Sequence, residues 1–171
     1  MRSILDSVAL RTALVAIVVL ILQLTLVPNM QIAGASADLM LLFALAAATT
    51  AGPDVGAKIA FVYGLVFDLM LQTPFGLSAL VYALAAYMFG GALLSISRTS
   101  WRVTALSVAL ATAAAVGLYA LLARVFGEPW MTPGRMVRVM LVEAAFNVFL
   151  APIAVKVSEW TTADLTHRPA R

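Results

Sequence analysis

The sequence predicts an all-α integral membrane protein, a compact bundle of six transmembrane helices with both termini in the cytoplasm. Three observations support this prediction. Hydrophobic residues make up 63% of the 171-residue chain and charged residues only 11%, whereas soluble domains average roughly 45–50% and about 25%. The apolar residues form six long blocks, and the basic residues stand mainly at the ends of these blocks.

The six blocks define the predicted helices and leave little of the chain outside them. They cover about residues 12–27, 37–51, 55–71, 75–95, 102–126 and 135–158. A membrane span needs about 20 residues, within a range of about 17–25. Blocks three to six meet this length directly, whereas the first two need flanking residues. Residues 1–171 are therefore expected to form a single membrane domain.

The first block also has features of a signal peptide, because basic residues precede it and Ala35-Ser36-Ala37 could serve as a cleavage site. Pro28-Asn29 separates the apolar run from that site. We therefore favour an uncleaved first span.

The distribution of lysine and arginine predicts the orientation, because cytoplasmic loops carry an excess of these residues. An internal N-terminus places eight basic residues inside, namely Arg2, Arg11, Lys58, Arg98, Arg102, Lys156, Arg168 and Arg171. Arg124, Arg135 and Arg138 are then outside. The two longest loops, residues 28–36 and 127–134, also face outward, and the second contains Trp130. The net charge of +3 forms no basic stripe with an aromatic platform, so no nucleic-acid partner is expected.

The composition also argues against catalysis. The chain contains no cysteine, and its one histidine, His167, lies in the polar C-terminal tail. Thiol chemistry, cysteine metal sites and histidine-based triads are therefore excluded from the predicted membrane domain. We expect no enzymatic activity, no cofactor and no metal site.

Asp68 is the most informative single residue, because an ionisable group inside an apolar block is costly and usually functional. Gly56, Ala60, Gly64 and Asp68 follow one another at four-residue intervals, so Asp68 is expected to face a neighbouring helix. Two roles remain open for Asp68. It could hold the turn before Phe75, or it could contact a partner or ligand.

Small residues form a second ridge in block five. Ala105, Ala109, Ala113 and Gly117 also recur at four-residue intervals. Both ridges could pack helices within the monomer, which we favour, or dock a second membrane protein.

A polar cluster is predicted at the outer end of the bundle. Six charged residues fall in the predicted outer half: Asp38, Asp68, Arg124, Arg135, Arg138 and Glu143. Asn147 follows Glu143 by one helical turn and shares its face. We hypothesise that several of these side chains meet, with Arg124 or Arg138 as the counter-ion of an acid. The cluster could either hold helices together or line a cavity.

The segment around Asp68 resembles the MreD family, the rod-shape-determining membrane proteins of bacteria. The resemblance is carried by Gly64-Leu65, Asp68-Leu69 and the turn Pro74-Phe75-Gly76-Leu77-Ser78-Ala79, and by Asp38-Leu39-Met40-Leu41-Leu42 at the start of block two. Asp38, Asp68, Pro74 and Gly76 are the site residues that this resemblance indicates.

The resemblance implies a non-enzymatic scaffold in the inner membrane that binds MreC. In such a complex the MreB filament is coupled to lateral peptidoglycan synthesis by RodA and its class B penicillin-binding protein. Contacts with membrane lipids and a homo-oligomer are also compatible with the sequence. The alternative is a substrate-binding subunit similar to the S components of vitamin transporters, since an outward polar cluster would suit a ligand.

Overall fold

The computed structural model describes residues 2–32, 34–71, 74–96, 101–127 and 132–166. Within these residues the chain forms one 3-10 helix, Val27–Met30, and six α-helices: α1 (Arg2–Thr25), α2 (Leu39–Ala51), α3 (Pro53–Asp68), α4 (Leu77–Ile96), α5 (Trp101–Val125) and α6 (Pro133–Thr166). Each predicted block corresponds to one α-helix. Trp130, Arg98, His167, Arg168 and Arg171 lie outside the described residues.

The helices differ in length more than the blocks suggest. Three described segments are long and apolar enough to cross a membrane, Ser7–Thr25, Leu106–Val125 and Pro133–Ala163, whereas Leu39–Ala51 and Leu77–Gly91 are apolar but shorter. Helix α3 contains 16 residues, just below the range of about 17–25 for a span. The helix begins at Pro53 and ends at Asp68, before the turn, so its two ends lie two and three residues ahead of those of block three.

Helix α2 lies at the centre of the bundle. It contacts every other α-helix, and the remaining five form a closed ring in the order α1, α3, α4, α5, α6. Its sequence is rich in leucine and alanine on all sides, and nine of its 13 residues are buried. A helix that is hydrophobic all round belongs in a core, so the central position of α2 follows from its composition.

The small-residue ridge of α3 packs against α2 and α4. A Cβ atom added at Gly56 would lie 2.4 Å from the Cα of Ala48, and one added at Gly64 would lie 2.4 Å from the Cα of Ala79. Ala60, between the two glycines, is fully buried. The backbones of α2, α3 and α4 therefore approach as closely as only glycine and alanine permit, and this ridge is used inside the monomer.

The corresponding ridge of α5 is less completely covered. Ala109, Ala113 and Gly117 are half-buried, and a Cβ at Gly117 would meet only the flexible end of Met140, at 2.9 Å. The buried face of α5 is formed by other residues, including Val108, Ala111 and Ala115. Part of the α5 ridge thus remains accessible on the surface of the monomer.

The central helix is much shorter than some of the helices around it. The 13 residues of α2 span about 20 Å, whereas the 25 residues of α5 span about 38 Å, at about 1.5 Å per residue. The end at which α2 begins also holds the end of α3, the start of α4 and the start of α6. At the opposite end, Arg11 lies 5.4 Å from the ring centroid of Trp160 and joins α1 to α6.

Candidate functional site

Asp68 caps the N-terminus of α4. Its carboxylate is 2% exposed and accepts hydrogen bonds from three backbone N–H groups, those of Gly76 at 2.9 Å, Ser78 at 3.1 Å and Ala79 at 3.2 Å. The first N–H groups of a helix have no partner within the helix, and the helix dipole favours an anion there. This is the geometry of the turn-holding alternative, and it explains how a charge is accommodated among apolar helices.

The turn between α3 and α4 makes this cap feasible. Gly76 has a φ of +95°, a left-handed conformation that side chains other than glycine rarely adopt. Gly76 occupies the N-cap position of α4, where a serine or aspartate would normally supply the capping oxygen. Since glycine has no side chain, Asp68 supplies that oxygen from the end of the preceding helix. Pro74 accepts the N–H of Leu77 at 3.1 Å within the same turn.

Asp38 performs the equivalent task for the central helix. One carboxylate oxygen accepts the N–H of Leu41 at 2.9 Å, and the other accepts the hydroxyl of Tyr82 on α4. Gln23 on α1 bridges the same region, because its side chain accepts the N–H of Leu39 at 2.8 Å and donates to the carbonyl of Ala37 at 3.1 Å. The start of α2 is therefore fixed by side chains of both α1 and α4.

Tyr82 is held in place from two sides. Its ring stacks on Phe67 of α3, with a centroid separation of 6.4 Å and an interplanar angle of 18°, and its hydroxyl bonds to Asp38. The side chain is 3% exposed. Tyr82 thus couples the two capped turns, because Phe67 precedes Asp68 and Asp38 precedes α2.

A cavity of about 250 Å³ lies at this end of the bundle, and we call it the Asp38 pocket. Its polar lining residues are Gln23, Ser36, Asp38, Ser78, Tyr82, Tyr119, Arg135 and Glu143, and the rest of the lining is glycine or apolar. Arg135, Val139 and Glu143 follow one ridge of α6, so the pocket extends along that helix from exposed Arg135 to half-buried Glu143. The predicted polar cluster therefore includes a cavity.

The structure brings together some of the predicted cluster and separates the rest. Asp38 and Glu143 line the Asp38 pocket together with Arg135, whereas Arg138 lines an adjoining cavity that also contains Arg135. Arg124 is exposed on α5 and lines neither cavity. Arg135 is thus an arginine that lines the same cavity as both acids. The hypothesis that Arg124 or Arg138 is the counter-ion of an acid stays a prediction.

Asn147 lies one helical turn after Glu143 on α6 and does not line the Asp38 pocket. It is fully buried, and its amide donates to the hydroxyl of Thr112 on α5 at 3.0 Å. Asn147 thus joins α5 to α6. Trp130, a predicted interaction residue of the outer loop, lies outside the described residues.

Sequence reasoning missed three residues of this site: Gln23, Tyr82 and Ser78. Gln23 and Tyr82 lie within apolar blocks and are uncharged, so the search for buried charges did not select them. A usable signal was nevertheless present, because buried polar side chains need hydrogen-bond partners. No group of three or more metal-ligating side chains occurs among the residues that the structure describes.

These features define a class of protein: a helical membrane protein whose buried carboxylates fix the starts of its inner helices. The comparison with known families gives the particular family. The model of the family described as rod shape-determining protein MreD matches residues 1–159, and the chain belongs to this family. No curated protein and no solved structure matches the chain. Family membership gives the protein a role in the determination of rod shape and associates it with the membrane.

Proposed function

We propose that the protein is a non-enzymatic scaffold of the bacterial cell-elongation machinery that binds MreC. In this role it couples the MreB filament to lateral peptidoglycan synthesis by RodA and its class B penicillin-binding protein. The observation that carries the proposal is the family match over residues 1–159. It is supported by the architecture, because the described chain is almost entirely helix and must act through helix faces and short connections.

The proposed arrangement in the bacterial inner membrane has six spans and cytoplasmic termini. Helices α2 and α3 are short for spans, but α2 lies inside a ring of longer helices and need not meet lipid along its length. The Asp38 pocket then faces outward, and the end that contains Arg11 and Trp160 faces the cytoplasm. This orientation agrees with the excess of basic residues on the predicted inner side.

The surface proposed for MreC is the accessible part of the α5 ridge. Membrane helices associate through small residues that allow close backbone approach. The α3 ridge is occupied by contacts with Ala48 and Ala79, whereas Ala109, Ala113 and Gly117 on α5 are only half-buried. Exposed Leu106 and Leu110 provide apolar surface beside this ridge for a single membrane helix.

Site-directed cross-linking tests this surface. The chain contains no cysteine, so each single-cysteine variant carries one defined attachment point for a photoreactive maleimide. Ala113→Cys on α5 is expected to give an adduct with MreC in native membranes. Ile17→Cys, on an exposed position of α1, is the matched control and is expected to give none. Adducts from Ile17→Cys but not from Ala113→Cys would refute the α5 surface.

The Asp38 pocket favours a second candidate, a substrate-binding subunit similar to the S components of vitamin transporters. A small cavity with converging polar groups is the usual form of a ligand site. This function requires an ATPase module as partner and a vitamin in the pocket. A vitamin that remains bound through purification would support it over the scaffold.

A further inference from the structure

The hydroxyl of Ser78 is a buried polar group without a partner. Ser78 is 1% exposed and lines the Asp38 pocket, and among the described residues no group hydrogen-bonds to its Oγ. Its backbone N–H is used by Asp68, so the side chain is not needed for the cap. Buried hydroxyl groups are nearly always hydrogen-bonded. The unused Oγ therefore indicates a partner that enters the pocket.

The charges of the pocket indicate the chemistry of that partner. Two acidic residues, Asp38 and Glu143, line the pocket and are half-buried, and Arg135 lines it as an exposed residue. Arg135 and Glu143 are eight residues apart, which corresponds to about 12 Å along the helix. Because the arginine side chain is long, its guanidinium can reach part of the way along α6 towards Glu143, so a small molecule can contact both residues. The pocket thus presents acceptors inside and a cation at its mouth.

A primary ammonium group fits the inner part. It carries three N–H donors, and the pocket offers the Ser78 hydroxyl and the carboxylates of Asp38 and Glu143 as acceptors. Asp38 already accepts hydrogen bonds from Tyr82 and from the start of α2, so the carboxyl group of Glu143 is expected to be the main acceptor for the ammonium. Acidic side chains buried in a membrane protein usually pair with a group of opposite charge.

We propose that the Asp38 pocket binds a small zwitterion. Its primary ammonium lies among Ser78, Asp38 and Glu143, and its anionic group, a phosphate or a carboxylate, pairs with Arg135. A cavity of about 250 Å³ is smaller than the range of roughly 300–1,000 Å³ for drug-sized ligands, which suits a group of headgroup size. Arg138, on the adjoining cavity, adds positive charge beside the anionic group. This proposal does not depend on the binding of MreC.

A zwitterion with a primary ammonium and an anionic group can be a lipid headgroup or a soluble molecule, and the experiment distinguishes the two. The lipid source is an ethanolamine phospholipid whose headgroup enters the pocket, and the free source is a soluble zwitterion such as phosphoethanolamine. The purified full chain is placed in nanodiscs of phosphatidylcholine, in which the ammonium has no N–H donor. Its melting temperature is then measured after addition of phosphatidylethanolamine, phosphatidylglycerol or free phosphoethanolamine, and bound lipid is identified by native mass spectrometry.

The variants Glu143→Gln and Arg135→Gln each remove one charge of the pocket. Each is expected to lower the affinity roughly tenfold, as the loss of one charge-assisted hydrogen bond does. Ser78→Ala gives a readout that a purely structural role would not produce. Its affinity for the zwitterion falls, while its melting temperature without the zwitterion is unchanged or higher, because a buried hydroxyl without a partner has been removed. Asp54→Asn removes an exposed charge at the opposite end of α3 and is the matched control, with unchanged affinity.

Stabilisation by phosphatidylethanolamine alone supports the lipid source, and stabilisation by free phosphoethanolamine supports the soluble source. Equal stabilisation by phosphatidylethanolamine, phosphatidylcholine and phosphatidylglycerol, together with no effect of phosphoethanolamine, overturns the proposal. Unchanged affinity in both Glu143→Gln and Ser78→Ala also overturns it. Failure of the zwitterion to bind would leave the cross-linking result at Ala113 unaffected, so the two proposals fail independently.

Discussion

The side chains of Asp38 and Asp68 show how a carboxyl group can be accommodated inside an apolar bundle. Each lies at the start of a helix that follows it in the sequence, and each accepts backbone N–H groups that would otherwise have no partner. The charge and the unpaired donors are both costly among apolar helices. Placing them together removes both costs, so these acids stabilise helix starts.

Asp68→Asn tests the cap of α4. The amide group of asparagine keeps one acceptor oxygen and replaces the other with a donor, so at least one of the three bonded N–H groups loses its partner. We expect the free energy of unfolding in detergent to fall by about 1–3 kcal/mol. Asp54→Asn, with the same change of charge on an exposed position, is expected to change it by less than about 0.5 kcal/mol. Equal effects of the two changes would contradict the cap.

Tyr82→Phe tests the link between the two capped turns. The substitution removes the hydroxyl that donates to Asp38 and keeps the ring that stacks on Phe67. A buried acceptor that loses its hydrogen-bond partner costs about 1–3 kcal/mol, and the unfolding free energy should fall by about that amount. Tyr87→Phe, at an exposed tyrosine of the same helix, serves as the control. Equal stability of Tyr82→Phe and the parent chain would show that the hydroxyl contributes nothing.

At the residue scale, the sequence drew attention to the charged side chains of the site and not to the uncharged polar ones. Asp68 could be assigned to a helix-facing position because four-residue steps connect it to Gly64 and Gly56, and it is indeed buried. The identity of its partners depended on the path of the Pro74–Gly76 turn, which spacing alone does not fix. Tyr82 and Gln23 acquire their importance only from the tertiary positions of Asp38 and Leu39.

At the scale of elements, the α3 ridge fixes the packing of the first half of the bundle. Gly64→Ala would place a Cβ 2.4 Å from the backbone of Ala79, and no rotamer change can relieve such a contact. We expect unfolding to become easier by about 1–3 kcal/mol, as in other overpacked cores. The measurement is thermal or denaturant unfolding in detergent.

Gly91→Ala is the matched control for this substitution, because a Cβ at Gly91 meets no atom within 4 Å. Its stability should be unchanged or higher by up to about 1 kcal/mol, since alanine favours the helix over glycine. A destabilised Gly91→Ala with an unaffected Gly64→Ala would contradict the packing of α3 on α4.

The six helices themselves were predictable from the apolar blocks, because length and hydropathy dominate in such a chain. The residues at which the helices begin and end were not predictable in this way. Helix α6 continues to Thr166 and α1 begins at Arg2, since polar residues can extend a helix beyond its apolar part. The central position of α2 could have been inferred from its composition, which lacks a polar face. The order of the ring around it depends on contacts that the sequence does not display.

For the whole molecule, the short central helix inside longer neighbours explains why one end of the bundle contains a pocket. That pocket unites Asp38, Glu143 and Arg135, which lie far apart in the sequence. At the opposite end, Arg11 lies over the ring of Trp160 and joins α1 to α6. The molecule therefore offers two distinct features for function, a polar pocket and the apolar outer faces of its ring helices.

The central claim, a scaffold that binds MreC through its helix faces, is tested most directly by purification of the tagged full chain from its native membranes. Mild detergent extraction should recover MreC in stoichiometric amount, as identified by mass spectrometry and quantified against the tagged chain. Asp54→Asn should recover the same amount. Recovery of an ATPase module in place of MreC would contradict the scaffold and support the transport function.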